Sequence, residues 1–219
     1  MITVKYIKKG VAACISHVDV LRSIHRAINR AGIKVNYSEG YGKHILLYLT
    51  QPLPIFIESE CEYFTVSCDN IGAEEFLARY NAHSPSYMRG LAAYKSVKNP
   101  NLAAKITASL YRIPYESDGT FTLPELPKEI IVEQTKNNKT TTKDIRPLIH
   151  SMETDSEYIY ALVSTGGQNL RVDVLAKYLR TLGIVVNDNE ACKTAQYVQG
   201  ENNLVNADDY LSSLTNGDL

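Results

Sequence analysis

Apolar and polar positions alternate at the start of the chain. Ile2, Val4 and Tyr6 stand against Thr3, Lys5 and Ile7, and the run resumes after Lys8-Lys9-Gly10 from Val11 to Ile15. That pattern predicts a strand bent at Gly10. The period then lengthens: Val18, Leu21, Ile24 or His25, and Ile28 recur at helical spacing from His17 to about Ala31. Ser16 stands as N-cap, Asp19 at the third position after it, where a capping-box carboxylate reaches back, and Gly32 as the stop. Alternation returns at 33–37, 45–50 and 61–68, with a glycine loop at 38–43 between the first two and Pro52 and Pro54 ending the second. A helix from Gly72 to about Asn81, with Phe76, Leu77 and Tyr80 inward, and a strand from Met88 to Val97 follow.

The order through residue 97 is strand, helix, strand, strand, helix, strand, which is the split βαβ or ferredoxin-like plan. From residue 105 the pattern partly recurs. A strand runs to Tyr115, a proline-bounded loop covers 117–127, and strands follow at 129–134 and 157–164. An amphipathic helix at 171–182 turns Val174, Leu175, Tyr178 and Leu179 inward and stops at Gly183, before a last strand from Thr194 to Val198. The sequence therefore predicts an α+β protein of two tandem ferredoxin-like (βαββαβ) subdomains, 1–98 and 102–200, the second with its first helix reduced or missing. A polar, mobile C-terminal tail is expected over 201–219.

A chain of 219 residues has room for two such units, and its 44% hydrophobic and 21% charged residues are ordinary for a globular protein. The net charge of −1 provides no global basic field, so binding of nucleic acid would need a local patch. Cys14, Cys61, Cys68 and Cys192 are irregularly spaced without a CxxC pair, which argues against a zinc ribbon or cluster site and predicts no metal and no cofactor. No cleavable leader and no apolar run long enough to span a bilayer is evident, so a cytoplasmic protein with reduced thiols and no membrane partner is expected.

Three polar groupings carry candidate chemistry. His17 and Asp19 beside Ser16 could form a catalytic cluster, a histidine at a helix start being a neutral base, although S-x-x-D before an apolar run is accounted for by capping. His44 follows a loop holding Gly40, Gly42 and Lys43, where backbone amides and an ammonium could meet a phosphate; a plain turn between strands explains the same glycines. A His17–His44 pair would invite acid–base or metal chemistry, but the spacing offers no third ligand. Arg22, Arg26 and Arg30 recur every fourth residue and, with Lys34, form the clearest cationic stripe, able to track a phosphate backbone while tyrosines stack on bases, or to be a solvated helix face. A second basic run, Lys136 to Arg146, reads as a hairpin tip.

Ser16-His17-Val18-Asp19, the helix with Arg22 and Arg26, Ala31-Gly32, Tyr37-Ser38-Glu39-Gly40-Tyr41, Glu58-Ser59-Glu60-Cys61-Glu62-Tyr63 and Asp144-Ile145-Arg146-Pro147-Leu148-Ile149 run through most of the chain. Together they resemble the bacterial radical-SAM-linked proteins of unknown function. The chain departs from that family where Gly42-Lys43-His44-Ile45 replaces N-P-H-P and keeps only the histidine. The resemblance implies an accessory protein working with a radical-SAM partner, which would hold any cluster. The residues add an expectation of RNA or phosphate binding through Arg22, Arg26, Arg30, Lys34 and Lys43, with no DNA partner. The tandem plan with a basic helix is also similar to RNA-processing endonucleases of CRISPR systems. Two alternatives stand beside this reading: a metal-independent ribonuclease-like enzyme using His17 and His44, and a protein–protein adaptor.

Overall fold

The computed structural model describes residues 1–116, 123–136 and 139–216. The protein is α+β, built on a large, mostly antiparallel sheet. Its first half runs β1 (Ile2–Lys8), α1 (His17–Arg30), β2 (Leu47–Leu49), β3 (Glu58–Val66), α2 (Ala73–His83) and β4 (Gly90–Lys95). These strands pair antiparallel in the order β4-β1-β3-β2. The second half runs α3 (Leu102–Lys105), β5 (Ile106–Pro114), β6 (Ile131–Lys136), β7 (Lys139–Asp144), β8 (Ile149–Thr154), β9 (Tyr158–Ser164), α4 (Val172–Thr181), β10 (Cys192–Gln199), β11 (Leu204–Asn206) and α5 (Ala207–Asn216). Its antiparallel order is β10-β5-β9-β8. Where the first half inserts α1, the second inserts the β6–β7 hairpin. A short parallel pairing, Cys192 with Glu58 and Lys193 with Ser59, fuses the halves into one sheet.

Strand alternation sends the core to both sides of this sheet. Ile2, Val4 and Tyr6 of β1 and Phe64 and Val66 of β3 pack with Val20, Ile24, Ala27 and Ile28 of α1 and Phe76 and Tyr80 of α2. Phe64 is the hub, its ring 5.3 Å from that of Tyr80 and 5.7 Å from that of Tyr6. Cys61 and Tyr63, at the intervening positions of β3, instead meet Leu102, Ile106, Val198 and Leu211, so α5 covers the opposite face. A third cluster joins Ile113, Ile159, Ala161 and Val163 to Leu175 and Leu179 of α4 and to Ile145, Leu148 and Ile149. There the Asp144 carboxylate accepts from the amides of Ile130 and Arg146, both at 2.9 Å, so the Asp144–Ile149 segment fastens the hairpin to the core.

Several expectations are corrected. Val11 to Ile15 do not extend the first strand. Gly10, at φ +53°, turns the chain into a 3-10 segment, Gly10–Cys14, and its left-handed backbone is the conformation glycine adopts without strain. Residues 33–37 contribute only an isolated bridge, Tyr37 to Ile45, and the following strand shortens to β2. On α1 the buried valine is Val20, while Val18 is exposed. The expected tail is a further correction. Residues 204–216 form β11 and α5, with Ala207 and Leu211 buried, and 217–219 lie outside the described residues. Also outside them are 117–122 of the expected proline-bounded loop and Asn137 and Asn138 of the expected hairpin tip.

Candidate functional site

Ser16 caps α1: its Oγ accepts from the Asp19 amide at 3.2 Å and donates to the Asp19 carboxylate at 2.7 Å. That hydrogen bond, with help from Arg22, holds the Asp19 carboxyl below the usual aspartate range. Arg22 lies 3.2 Å from Asp19, an exposed ion pair one turn apart. Arg26 and Arg30 turn elsewhere. Both line a groove of about 470 Å³ between α1 and the end of α2, with Ser23, His83, Ser84 and Tyr87, and no carboxylate lines it. Arg30 Nη2 donates to the His83 carbonyl at 2.9 Å, which fixes the α1–α2 approach and the depth of the groove.

The remaining cations of the expected set are not in that groove. Lys34 lines a separate recess with Asp69 and Arg79, and the Arg79 guanidinium is spent on the carbonyls of Ala31 and Gly32, at 2.8 and 2.9 Å, at the end of α1. Lys43 and His44 are exposed on the 38–44 loop, which is closed by Ser38 N donating to His44 O at 2.7 Å and His44 N donating to Ser38 Oγ at 3.0 Å. The expectation of one groove shared by the arginine stripe and the glycine loop is therefore corrected to separate surfaces.

His17 and His44 are not brought together either. His17, the first residue of α1, lies where Lys8 and Glu62 act on it: partial burial lowers its pKa, Glu62 opposes this and Lys8 adds to it. His44 precedes β2, whose Leu47 pairs with Val66, so it extends past the end of β3. The ribonuclease-like alternative would need the two to meet at one phosphate, and among the described residues His17 is influenced by Lys8 and Glu62 while His44 is held by Ser38. Among the described residues, no three of His, Cys, Asp or Glu come together as a metal-holding group.

A buried ion pair lies at the seam between the halves. Tyr6 pairs with Glu62 but Lys8 with Ser59, so two residues of β1 span three of β3, a bulge. Glu62 acts there on both Tyr6 and Lys8. There Glu62 Oε1 meets Lys193 Nζ at 2.7 Å, with side chains only 5% and 6% exposed. Beside this pair a cleft of about 690 Å³ opens between the 3-10 turn at Gly10–Cys14, the start of β3 and the turn Asp188–Glu190. Its walls come from five separate segments, so no single stretch of sequence announces it. Glu58, Glu60 and Glu62, spaced by two at the head of an otherwise buried strand, were the available signal.

Cys14 and Cys192 both line this cleft, yet only Cys14 is exposed. Burial pushes the Cys192 thiol up to about 11 and the Cys61 thiol up to about 12, and raises Cys68 as well. Since the thiolate is the nucleophile, alkylation of the folded protein with iodoacetamide at mildly alkaline pH is expected to modify Cys14 first. Peptide mass spectrometry should find Cys61, Cys68 and Cys192 labelled only after denaturation, and C14S should remove the fast phase. Rapid labelling of Cys192 in the folded protein would contradict this burial.

Among the described residues, no helix is long and apolar enough to cross a membrane. In comparison with known families, the chain matches the one described as "Uncharacterized protein conserved in bacteria (DUF2344)" over residues 1–172. No curated protein matches it.

Proposed function

The chain belongs to this family of uncharacterized bacterial proteins, and we propose that it serves as an RNA-recognising accessory module for a radical-SAM partner. The partner half of this reading rests on the motif resemblance. The RNA half rests on the Arg26–Arg30 groove, where two guanidiniums share a concavity with no lining carboxylate and with Tyr87 exposed at its side. Guanidinium pairs suit phosphate oxygens, and an adjacent ring offers a face to a base. Arg22 extends the same stripe. Its exposed pairing with Asp19 is of the kind worth little in water, so a phosphate can displace it.

We read the architecture as tandem ferredoxin-like subdomains. Support comes from the strand orders, β4-β1-β3-β2 and β10-β5-β9-β8, which repeat one plan with the β6–β7 hairpin standing where the second copy would place its first helix. Such a plan leaves the groove on the helical layer of the first copy.

Fluorescence anisotropy with a labelled structured RNA at low and moderate salt tests the reading. The doubly charge-reversed variant R26E/R30E should bind at least about tenfold more weakly and lose roughly two units of salt slope, one for each phosphate contact. An unchanged affinity and slope would end the proposal. Pull-down with the tagged chain would then ask whether a radical-SAM protein accompanies it.

A further inference from the structure

The seam cleft is not part of the arginine groove, and its chemistry points to a different ligand. Phe56 stands at its mouth, 59% exposed and at φ +73°. A left-handed backbone is a genuine outlier for a bulky aromatic residue, and the strain is held in place by Phe56 N donating to Ala13 O at 2.9 Å. An exposed ring at a strained position is costly to keep unless it meets something. Across the cleft Arg112 lies over the Tyr158 ring, 4.9 Å from its centroid, a contact that holds the planar guanidinium in place. Among the described residues its only ion pair is a distant 3.9 Å to Glu60, whose Oε1 is already taken by Lys9 at 2.6 Å. Arg112 makes no hydrogen bond among the described residues, so its donors are available.

Glu58 is arranged the opposite way. Its Oε1 accepts from Gly10 N at 2.8 Å, which orients the carboxylate and leaves Oε2 without a donor among the described residues. The cleft thus offers an aromatic ring, a flat donor fork and a fixed acceptor, within a volume suited to a small ligand. With Glu190 as a further lining carboxylate, the wall carries more negative than positive charge and disfavours a phosphate. Among the common bases, guanine is the one that presents an O6/N7 acceptor pair for a guanidinium and an imino–amino donor pair for a carboxylate, with a face to stack on a ring. We infer that this seam cleft binds a guanine nucleoside, stacked on Phe56, with Arg112 on its O6/N7 edge and Glu58 on its imino and amino hydrogens.

The inference does not depend on the Arg26–Arg30 groove, and the experiment keeps the two apart. Isothermal titration calorimetry of the full chain with guanosine, inosine and adenosine should show saturable guanosine binding at low-millimolar concentration. Inosine, which lacks the amino group, should bind roughly tenfold more weakly because one charge-assisted hydrogen bond is lost, and adenosine more weakly still. E58Q should erase the guanosine–inosine difference. F56G accepts the left-handed backbone without strain, so it should hold or raise the melting temperature while weakening guanosine at least about tenfold. R26E/R30E should bind guanosine like the parent, whatever it does to RNA. Absent guanosine binding, equal affinity for the three nucleosides, or guanosine binding unchanged in both F56G and E58Q would overturn the assignment.

Discussion

Replacing Glu62 with alanine is expected to destabilise the protein by about 3–5 kcal/mol, the range typical of removing one partner from a buried ion pair. The size follows from what remains. Lys193 is buried within hydrogen-bonding distance of Glu62, and Lys8 is buried on the neighbouring strand. Burial by itself would lower the Lys193 pKa, but attraction to Glu62 and the polar groups around it outweighs that and raises it. Lys8 is lowered, chiefly by burial and further by Lys193, with Glu62 opposing. One carboxylate therefore serves two cations, which makes the site asymmetric. Removing Glu62 strands both ammoniums, whereas K193M leaves Glu62 still facing Lys8 and should cost less. The double variant E62L/K193M should recover only the share of the loss that belongs to Lys193, since an apolar pair of similar volume has no desolvation penalty but the buried Lys8 is still left without its carboxylate. Urea unfolding of the four proteins decides this, and an E62A cost below about 1 kcal/mol would mean water reaches the pair. The pH dependence has a definite sign. A lysine whose folded pKa is raised contributes fully below its ordinary value of 10.5 and loses that contribution as pH rises through the folded pKa. The unfolding midpoint of the parent should therefore show no loss from this pair until pH exceeds 10.5.

This pair shows what the sequence could and could not disclose. Long periodic segments were legible: α1 and α4 stand within a residue of where their apolar spacing placed them, while β3 begins three residues and ends two residues before the expected 61–68, because burial dictates the period more firmly than the ends. Short elements with polar outer faces were not. The β8 strand, with His150, Ser151 and Glu153 interspersed and strand β9 on one side, has no alternation strong enough to distinguish it from a loop. The run Val11 to Ile15 carries an apolar pattern compatible with strand or turn, and only the left-handed Gly10 decides between them. The basic stripe of α1 was legible as a stripe, but Arg22 and Arg26 face different neighbours, and nothing in a four-residue spacing separates an arginine on a capping carboxylate from one in a groove. The seam was hidden for a topological reason: Glu58 and Cys192 are neighbours only because two distant strands pair in parallel over two residues.

Substituting Asp208 with alanine is expected to cost about 2–4 kcal/mol and to loosen α5, a segment whose sequence resembles a solvated tail. The Asp208 carboxylate accepts three hydrogen bonds: Lys5 Nζ at 2.5 Å, Tyr63 OH at 2.9 Å and Tyr94 OH at 3.0 Å. Burial first, and then the Asp208 charge, push both phenol pKa values upward, so each remains a donor throughout the accessible pH range. Without the carboxylate the Tyr63 hydroxyl, most of it shielded from water, keeps its desolvation cost and loses its partner. Lys5 loses its counter-ion at the same time. The loss also reaches the core, because the helix that Asp208 anchors lays Ala207 and Leu211 on Cys61, Tyr63 and Val198. D208N retains an acceptor oxygen but not the charge and should fall between the parent and D208A. Hydrogen–deuterium exchange localises the effect: amides of Ala207–Asn216 and the edge strand β4 should exchange faster in D208A, with α4 and β9 protected as in the parent. Equal exchange in α5 for parent and D208A, together with an unchanged urea midpoint, would show that the apolar contacts of Leu211 hold the helix without its acid, and that the three-donor cluster is an accompaniment to docking instead of its cause.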